Sequence, residues 1–176
     1  MDLGLTGKTV FITGGSAGIG KATVLTYAKE KGISIAFSYF QGEKEAHEIV
    51  RLIEAEGNQA LAVPMNLADH DTIEAAVSGI VQKFGRIDVL VNNAVHWGSG
   101  TNRGKLFEEM PVLQWEETVG INLFGTVKVT QAVVPYMRRN QWGRIITVSS
   151  DVALDSMAGS GPYSALKAAL FGLTAN

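Results

Sequence analysis

The chain has 176 residues, 46% of them hydrophobic, and contains no cysteine. That is enough apolar chain for one globular domain with a substantial core, and it excludes disulfides, thiolate metal sites and a cysteine nucleophile. Its 15 basic and 17 acidic residues are interspersed and leave a net charge of -2. With no basic stripe or polybasic patch, neither nucleic acid nor a membrane is an expected partner.

The elements alternate from the start. Residues 8–13 read as a short apolar strand running into a glycine-rich turn, and 18–31 as a helix closed by Gly32. A second strand follows at 33–39, then a helix at 43–56 whose stripe of Ala46, Ile49, Val50 and Ile53 ends at Gly57. Residues 59–64 are a third strand. Asp71 is placed to cap the next helix, with Glu74 three positions on, and Ile73, Ala76, Val77, Ile80, Val81 and Phe84 mark its buried face up to Gly85. A nearly all-apolar fourth strand occupies 87–91, an irregular stretch runs over 92–111, a long helical region reaches Met137, and 143–149 supplies a fifth strand. Continuous apolar strands separated by amphipathic helices imply a parallel sheet covered on both faces, with right-handed crossovers. No basic and apolar leader precedes the first strand and no apolar run reaches membrane-spanning length, so a cytoplasmic protein is expected. His47, His70 and His96 are scattered and form no metal-ligand pattern.

Gly14, Gly18 and Gly20 fall between the first strand and its helix, where missing side chains permit a tight turn and close approach of a pyrophosphate to the helix N-terminus. The spacing is GxxxGxG, and a purely structural turn is the competing reading. Gly7-Lys8-Thr9 is not a Walker loop, because the position five before its glycine is Asp2. After the second strand stand Ser38, Tyr39 and Phe40, with no acidic residue until Glu43 to accept the ribose hydroxyls and repel a 2′-phosphate. NADP(H) is therefore expected in preference to NAD(H). No Arg or Lys stands at Ala17 or Phe40, which leaves Lys21, Lys44 and backbone groups to hold that phosphate. Far downstream, Tyr163 and Lys167 are one helical turn apart. A lysine there would lower the tyrosine pKa from about 10 and fit it for acid–base work; alternatively the pair is a core residue and its solvated neighbour.

Together, TGGSAGIG at 13–20, NNA at 92–94, Asn122, Ser150 and YSALK at 163–167 resemble, in order and along the entire chain, the short-chain dehydrogenase/reductase family. The likeness implies an α/β, Rossmann-like, doubly wound parallel sheet in three layers, a single NAD(P)-binding domain over 1–176. It implies an oxidoreductase that moves a hydride between nicotinamide and a small carbonyl or secondary alcohol, of the 3-oxoacyl reductase or sugar and alcohol dehydrogenase kind. Carried over by position, Tyr163 is the acid/base, Lys167 binds the nicotinamide ribose and tunes Tyr163, and Ser150 orients the substrate oxygen, with Ser149 the runner-up. Asn122 holds a water in a relay to Lys167. Cofactor contacts are implied at Gly14, Ser16, Ala17, Gly18, Ile19, Gly20, Tyr39, Asn66, Leu67, Asn93 and Ala94, besides Tyr163 and Lys167.

The chain departs from the family pattern in several places. Val95 stands where a glycine usually follows NNA, so its Cβ is expected to narrow the cofactor approach or oppose a positive-φ turn. Asn66 replaces a frequent Asp, and Leu166 a small residue. The family continues past the YxxxK helix, whereas this sequence ends at Asn176, which implies a C-terminally incomplete chain, as a fragment or a natural truncation, with the fifth strand exposed as an edge. Val127, Val129, Val133, Val134, Leu170 and Phe171 lie on the helices that resemble the family's dimer interface, implying a homodimer or homotetramer when full length. Trp97, residues 98–104 and the stretch after Ser150 are candidates to line the substrate pocket, with a solvent loop the equal alternative for 98–104. The alternative to an enzyme is a non-catalytic nucleotide-binding or interaction protein derived from the family.

Overall fold

A computed structural model describes residues 3–97, 105–155, 157 and 159–175; the expected pocket loop at 98–104 lies outside these. The strands are β1 (Thr9–Ile12), β2 (Ser34–Tyr39), β3 (Gln59–Pro64), β4 (Val89–Asn92) and β5 (Arg144–Thr147). They form one parallel sheet of order β3-β2-β1-β4-β5. The strand order reverses between β1 and β4, which opens a crevice outside their carboxyl ends.

The helices are α1 (Gly18–Tyr27), α2 (Glu43–Ala55), α3 (His70–Phe84), α4 (Val112–Val119), α5 (Gly125–Arg139) and α6 (Gly161–Thr174). Alternate residues of each strand feed opposite faces. Val10, Ile12, Ile35 and Phe37 pack with Val24, Ile49 and Ile53 from α1 and α2. Phe11, Ala36 and Leu90 pack with Ile73 and Ile80 from α3 and Val129 and Val133 from α5. The result is the expected three-layer sandwich, with two cores separated by the sheet.

At the opposite end of the strands from the crevice, Asp88 is fully buried. It accepts hydrogen bonds from the Thr9 N–H at 2.9 Å and from Arg86 Nε and Nη2 at 2.7 and 2.6 Å. This pins the entry to β4 against β1, the two strands that carry the crevice.

Three local readings change. The first helix ends at Tyr27 rather than at 31, because Asn58, thirty residues on, donates to the carbonyls of Ala28 (2.8 Å) and Glu30 (2.7 Å) and accepts from the Ile33 N–H (3.3 Å). The cap of α3 is Asp69, whose carboxylate accepts from the Asp71 N–H at 3.0 Å. Asp71 itself lies within the first turn. Of the apolar residues assigned to an assembly face, Val129, Val133 and Leu170 are buried in this chain's own core, leaving Phe124 and Phe171 as the exposed large side chains on those helices. β5 is an edge strand in the sheet, with Ile145 and Ile146 36% and 46% exposed.

Candidate active site

The glycine loop is built by bonds that run across the switch point. Thr13 Oγ1 accepts from the N–H groups of Asn93 (3.0 Å) and Ala94 (2.9 Å). Asn93 Nδ2 donates back to the carbonyls of Thr13 (2.9 Å) and Gly14 (3.2 Å). From the other side, Ser38 Oγ accepts from the Gly14 N–H at 3.0 Å and the Ser38 carbonyl from the Gly15 N–H at 2.8 Å. Ser38 is thus buried under the loop, and the residues left to face an adenosine ribose at the end of β2 are Tyr39 and Phe40. Burial, and then the nearby Glu43 carboxylate, raise the Tyr39 phenol above its ordinary value. The acidic group that seemed remote in the sequence therefore lies against Tyr39.

Only glycine is compatible with the loop. Gly14 and Gly18 have φ of +66° and +51°, and a Cβ at Gly20 would sit 2.0 Å from the Gly14 carbonyl oxygen and 2.6 Å from Asn93 Nδ2. At Gly15, which the spacing argument passed over, it would sit 2.5 Å from the Phe37 side chain. Beyond the loop, α1 opens at Ala17 with no side-chain cap and no acidic residue in its first turn. Its first N–H groups and positive dipole end therefore suit an anion. Gly18 faces open space. The loop geometry fits a dinucleotide pyrophosphate, and Ser16, Ala17, Gly18, Ile19 and Gly20 are the residues that could hold it.

Asn66 closes a turn on itself, its Oδ1 accepting from the Ala68 N–H at 3.0 Å. Leu67 is buried where α5 begins; a Cβ on Gly125 would come 2.8 Å from the Leu67 carbonyl oxygen. Val95 is not in the left-handed region, since Gln141 is the single non-glycine residue there among those described. The expected backbone conflict at Val95 is absent.

Asn122 lies in a π-helical turn, Gly120–Phe124, between α4 and α5. Its side chain is buried and clasps the backbone of His96: Oδ1 accepts from the His96 N–H at 2.6 Å, and Nδ2 donates to the carbonyls of His96 (2.9 Å) and Thr118 (2.8 Å). Both amide protons are committed, so the side chain anchors the loop after β4.

Ser149 and Ser150 part company at the end of β5. Ser149 Oγ donates to the Lys167 carbonyl at 2.9 Å and ties the strand end to α6. Ser150 Oγ caps a short 3-10 turn, Asp151–Ala153, and donates to Asp151 Oδ1 at 3.0 Å. Lys167 is buried, donates from Nζ to the Val148 carbonyl at 2.6 Å, and is pushed below its ordinary pKa by desolvation. Its Nζ lies 5.6 Å from the centre of the Tyr163 ring.

Tyr163 differs from expectation. Its phenol is raised chiefly by burial; the hydrogen bond to Ser150 opposes this, and the Asp151 charge adds a lesser rise. The lysine, over the ring and partly desolvated, is not among the groups that set this shift. Trp97 closes the other side, its ring centre 5.3 Å from that of Tyr163. Ser150, Tyr163 and Lys167 thus converge. Asn122 spends its side chain on the backbone of His96 and Thr118, in a turn that packs against α6. Thr13, Ser38 and Asp151 are the contributors that the motif spacing missed; Asp151 was signalled only by adjacency to Ser150.

Residues 8–176 match the family described as short chain dehydrogenase. The chain belongs to that family. The chain is 41% identical over 173 residues to a 3-oxoacyl-[acyl-carrier-protein] reductase of Thermotoga maritima, covering 97% of this chain and 66% of that relative. Among solved structures, NAD+-bound xylitol dehydrogenase superposes with a TM-score of 0.86 at 25% identity, over 97% of this chain and 63% of that one. A 7α-hydroxysteroid dehydrogenase complexed with NADH and 7-oxo glycochenodeoxycholic acid gives 0.85 at 32% identity, over 96% and 63%. This short-chain dehydrogenase chain therefore spans about two thirds of the length of its relatives. Among the described residues there is no cluster of three His, Cys, Asp or Glu able to hold a metal ion, and no helix long and apolar enough to cross a membrane.

Proposed function

We propose that this protein is an NAD(P)-dependent oxidoreductase interconverting a small carbonyl compound and its secondary alcohol. The observation that carries this is the convergence of Ser150, Tyr163 and the buried Lys167 on one side of a crevice whose other wall is a glycine loop shaped for a dinucleotide. Bound there, the nicotinamide supplies the hydride in reduction and accepts it in oxidation. Tyr163 donates the proton to the carbonyl oxygen, and its raised phenol keeps it protonated through neutral pH, which suits reduction. Ser150 holds the same oxygen. Lys167, fixed by the Val148 carbonyl, presents its charge to the phenolate left when the proton departs. The absence of a carboxylate at Ser38, Tyr39 or Phe40 supports NADP(H) binding at least as tightly as NAD(H), while Glu43, which lies against Tyr39 and His47, is the acid that opposes it. We further propose a cytoplasmic homodimer or homotetramer, supported only by the exposed Phe124 and Phe171 on the helices that flank the site.

Steady-state kinetics with NADPH and NADH over a carbonyl panel, alongside cofactor titrations, tests the reading. Tyr163→Phe is expected to keep cofactor affinity and lose kcat by about 10²–10⁴-fold. Lys167→Ala loses both, and Ser150→Ala loses mainly rate. Near-normal turnover in Tyr163→Phe overturns the mechanism. The second reading, a nucleotide-binding protein without turnover, draws on the raised Tyr163; cofactor binding without reduction of any carbonyl would favour it.

A further inference from the structure

The carboxylate next to Ser150 has no part in the scheme above, yet it competes with Tyr163 for that residue's only proton. A carboxylate can only accept, so the 3.0 Å bond between Ser150 Oγ and Asp151 Oδ1 directs the serine hydrogen away from the reacting oxygen. Oδ1 also accepts from the Val152 N–H at 2.9 Å, so the turn fixes the orientation of the acid. Oδ2, by contrast, accepts no hydrogen bond and meets no salt-bridge partner among the described residues. Asp151 is exposed at the mouth of the site. Its charge acts on Tyr163, the group that delivers the proton. The other groups facing Tyr163 do not neutralise it: Lys167 on α6 is bound to the Val148 carbonyl, and Trp97, after β4, is uncharged.

We propose that Asp151 discriminates between substrates, its Oδ2 taking a hydroxyl carried beside the reacting carbonyl and its charge rejecting a carboxylate in the same place. A substrate hydroxyl on Oδ2 weakens the hold of the carboxylate on Ser150, whose proton then turns to the carbonyl oxygen. Neutral hydroxy-ketones gain both contacts. Plain ketones must compete with Asp151 for the serine proton, and keto acids bring a second anion against it.

This inference rests on the oxidoreductase reading, and its test keeps the two apart. Hydroxyacetone, acetone and pyruvate differ only in the group beside the carbonyl. With saturating cofactor, kcat/KM for hydroxyacetone over acetone is expected to be roughly tenfold, the worth of a hydrogen bond to a charged acceptor, and to fall close to one in Asp151→Ala. Asp151→Asn should keep part of the hydroxyacetone advantage and admit pyruvate. Ratios that stay within twofold of wild type in both variants overturn the proposal. The second readout needs no turnover: in protein labelled at the tyrosine rings, with Tyr163→Phe assigning the signal, Asp151→Asn should lower the Tyr163 titration midpoint. Hydroxyacetone should perturb that signal more strongly in wild type than in Asp151→Ala. If wild type reduces none of the three, the oxidoreductase reading is decided by the wider carbonyl panel, while this titration still decides for or against Asp151; equal perturbation in the two proteins decides against it.

Discussion

Gly20 separates a loop that is merely glycine-rich from one that must contain glycine. Gly20→Ala adds one methyl group in the first turn of α1, where an unhindered alanine would raise helix stability by about 0.5–1 kcal/mol. Here the new Cβ would lie 2.0 Å from the Gly14 carbonyl oxygen, 2.6 Å from Asn93 Nδ2 and 2.9 Å from the Gly14 carbonyl carbon. Two of those atoms are backbone of a residue in a left-handed turn, held by Ser38, so the contact cannot be relieved by rotating a side chain. Either α1 moves off β1 or the Gly14 peptide turns and releases Asn93. Overpacking costs about 1–3 kcal/mol and the lost hydrogen bond about 1, which against the helix gain leaves a net destabilisation of about 1–3 kcal/mol. Urea unfolding followed by circular dichroism measures it. Gly79→Ala in α3, where the Cβ meets nothing within 4 Å, is the internal control and should stabilise. Cofactor titration should show weakened binding in Gly20→Ala alone. If Gly20→Ala is as stable as Gly79→Ala and binds cofactor normally, the loop geometry described above is wrong.

Asn58→Ala removes the three bonds that tie the end of α1 to β2 and is expected to cost about 2–4 kcal/mol in the same urea assay, an effect no larger than 0.5 speaking against that clamp. Asp88→Asn leaves Arg86 without its bidentate partner and should cost about 2 kcal/mol or more, with hydrogen exchange accelerated first at the start of β1 and β4. Lys167 has a folded pKa below its ordinary 10.5. Between those two values the unfolded chain binds more protons than the folded one, so the stability of wild type relative to Lys167→Met should rise as pH increases through that window and level off above it. A flat difference across that range counts against the burial of the ammonium. Val95→Gly should leave cofactor affinity unchanged, because Val95 does not occupy a conformation that needs glycine; a marked gain would restore the steric reading.

What the sequence disclosed was local periodicity. Strands such as β2 and β3 were bounded within a residue because continuous apolar runs end sharply at turns, and the αL cap at Gly85 followed from its place after Phe84. Partners distant in the chain were not readable. Asn58 shortens α1 from thirty residues away, and Ser38, which in the sequence is simply one of the residues ending β2, is placed by the fold beneath the glycine loop. The roles of Ser149 and Ser150 separated only once α6 was placed beside β5. The Tyr163 shift could not be read from four-residue spacing at all, since it depends on burial and on Asp151 more than on the lysine one turn away.

The π-helical turn at Gly120–Phe124 accommodates one residue more than a regular helix would across the same span. Such a turn is a phase shift: side chains beyond it are rotated by about 100° relative to an uninterrupted helix. The core residues Val129, Val133 and Met137 of α5 take their facing from this shift, while Thr118, before it, supplies the carbonyl that receives Asn122. Removing a single residue there would re-index α5 against α3 and the sheet even though the helix itself would become more regular. The segment therefore tolerates substitution far better than a change of length, and insertions or deletions that would pass unnoticed in a surface turn would here misalign half of the second core.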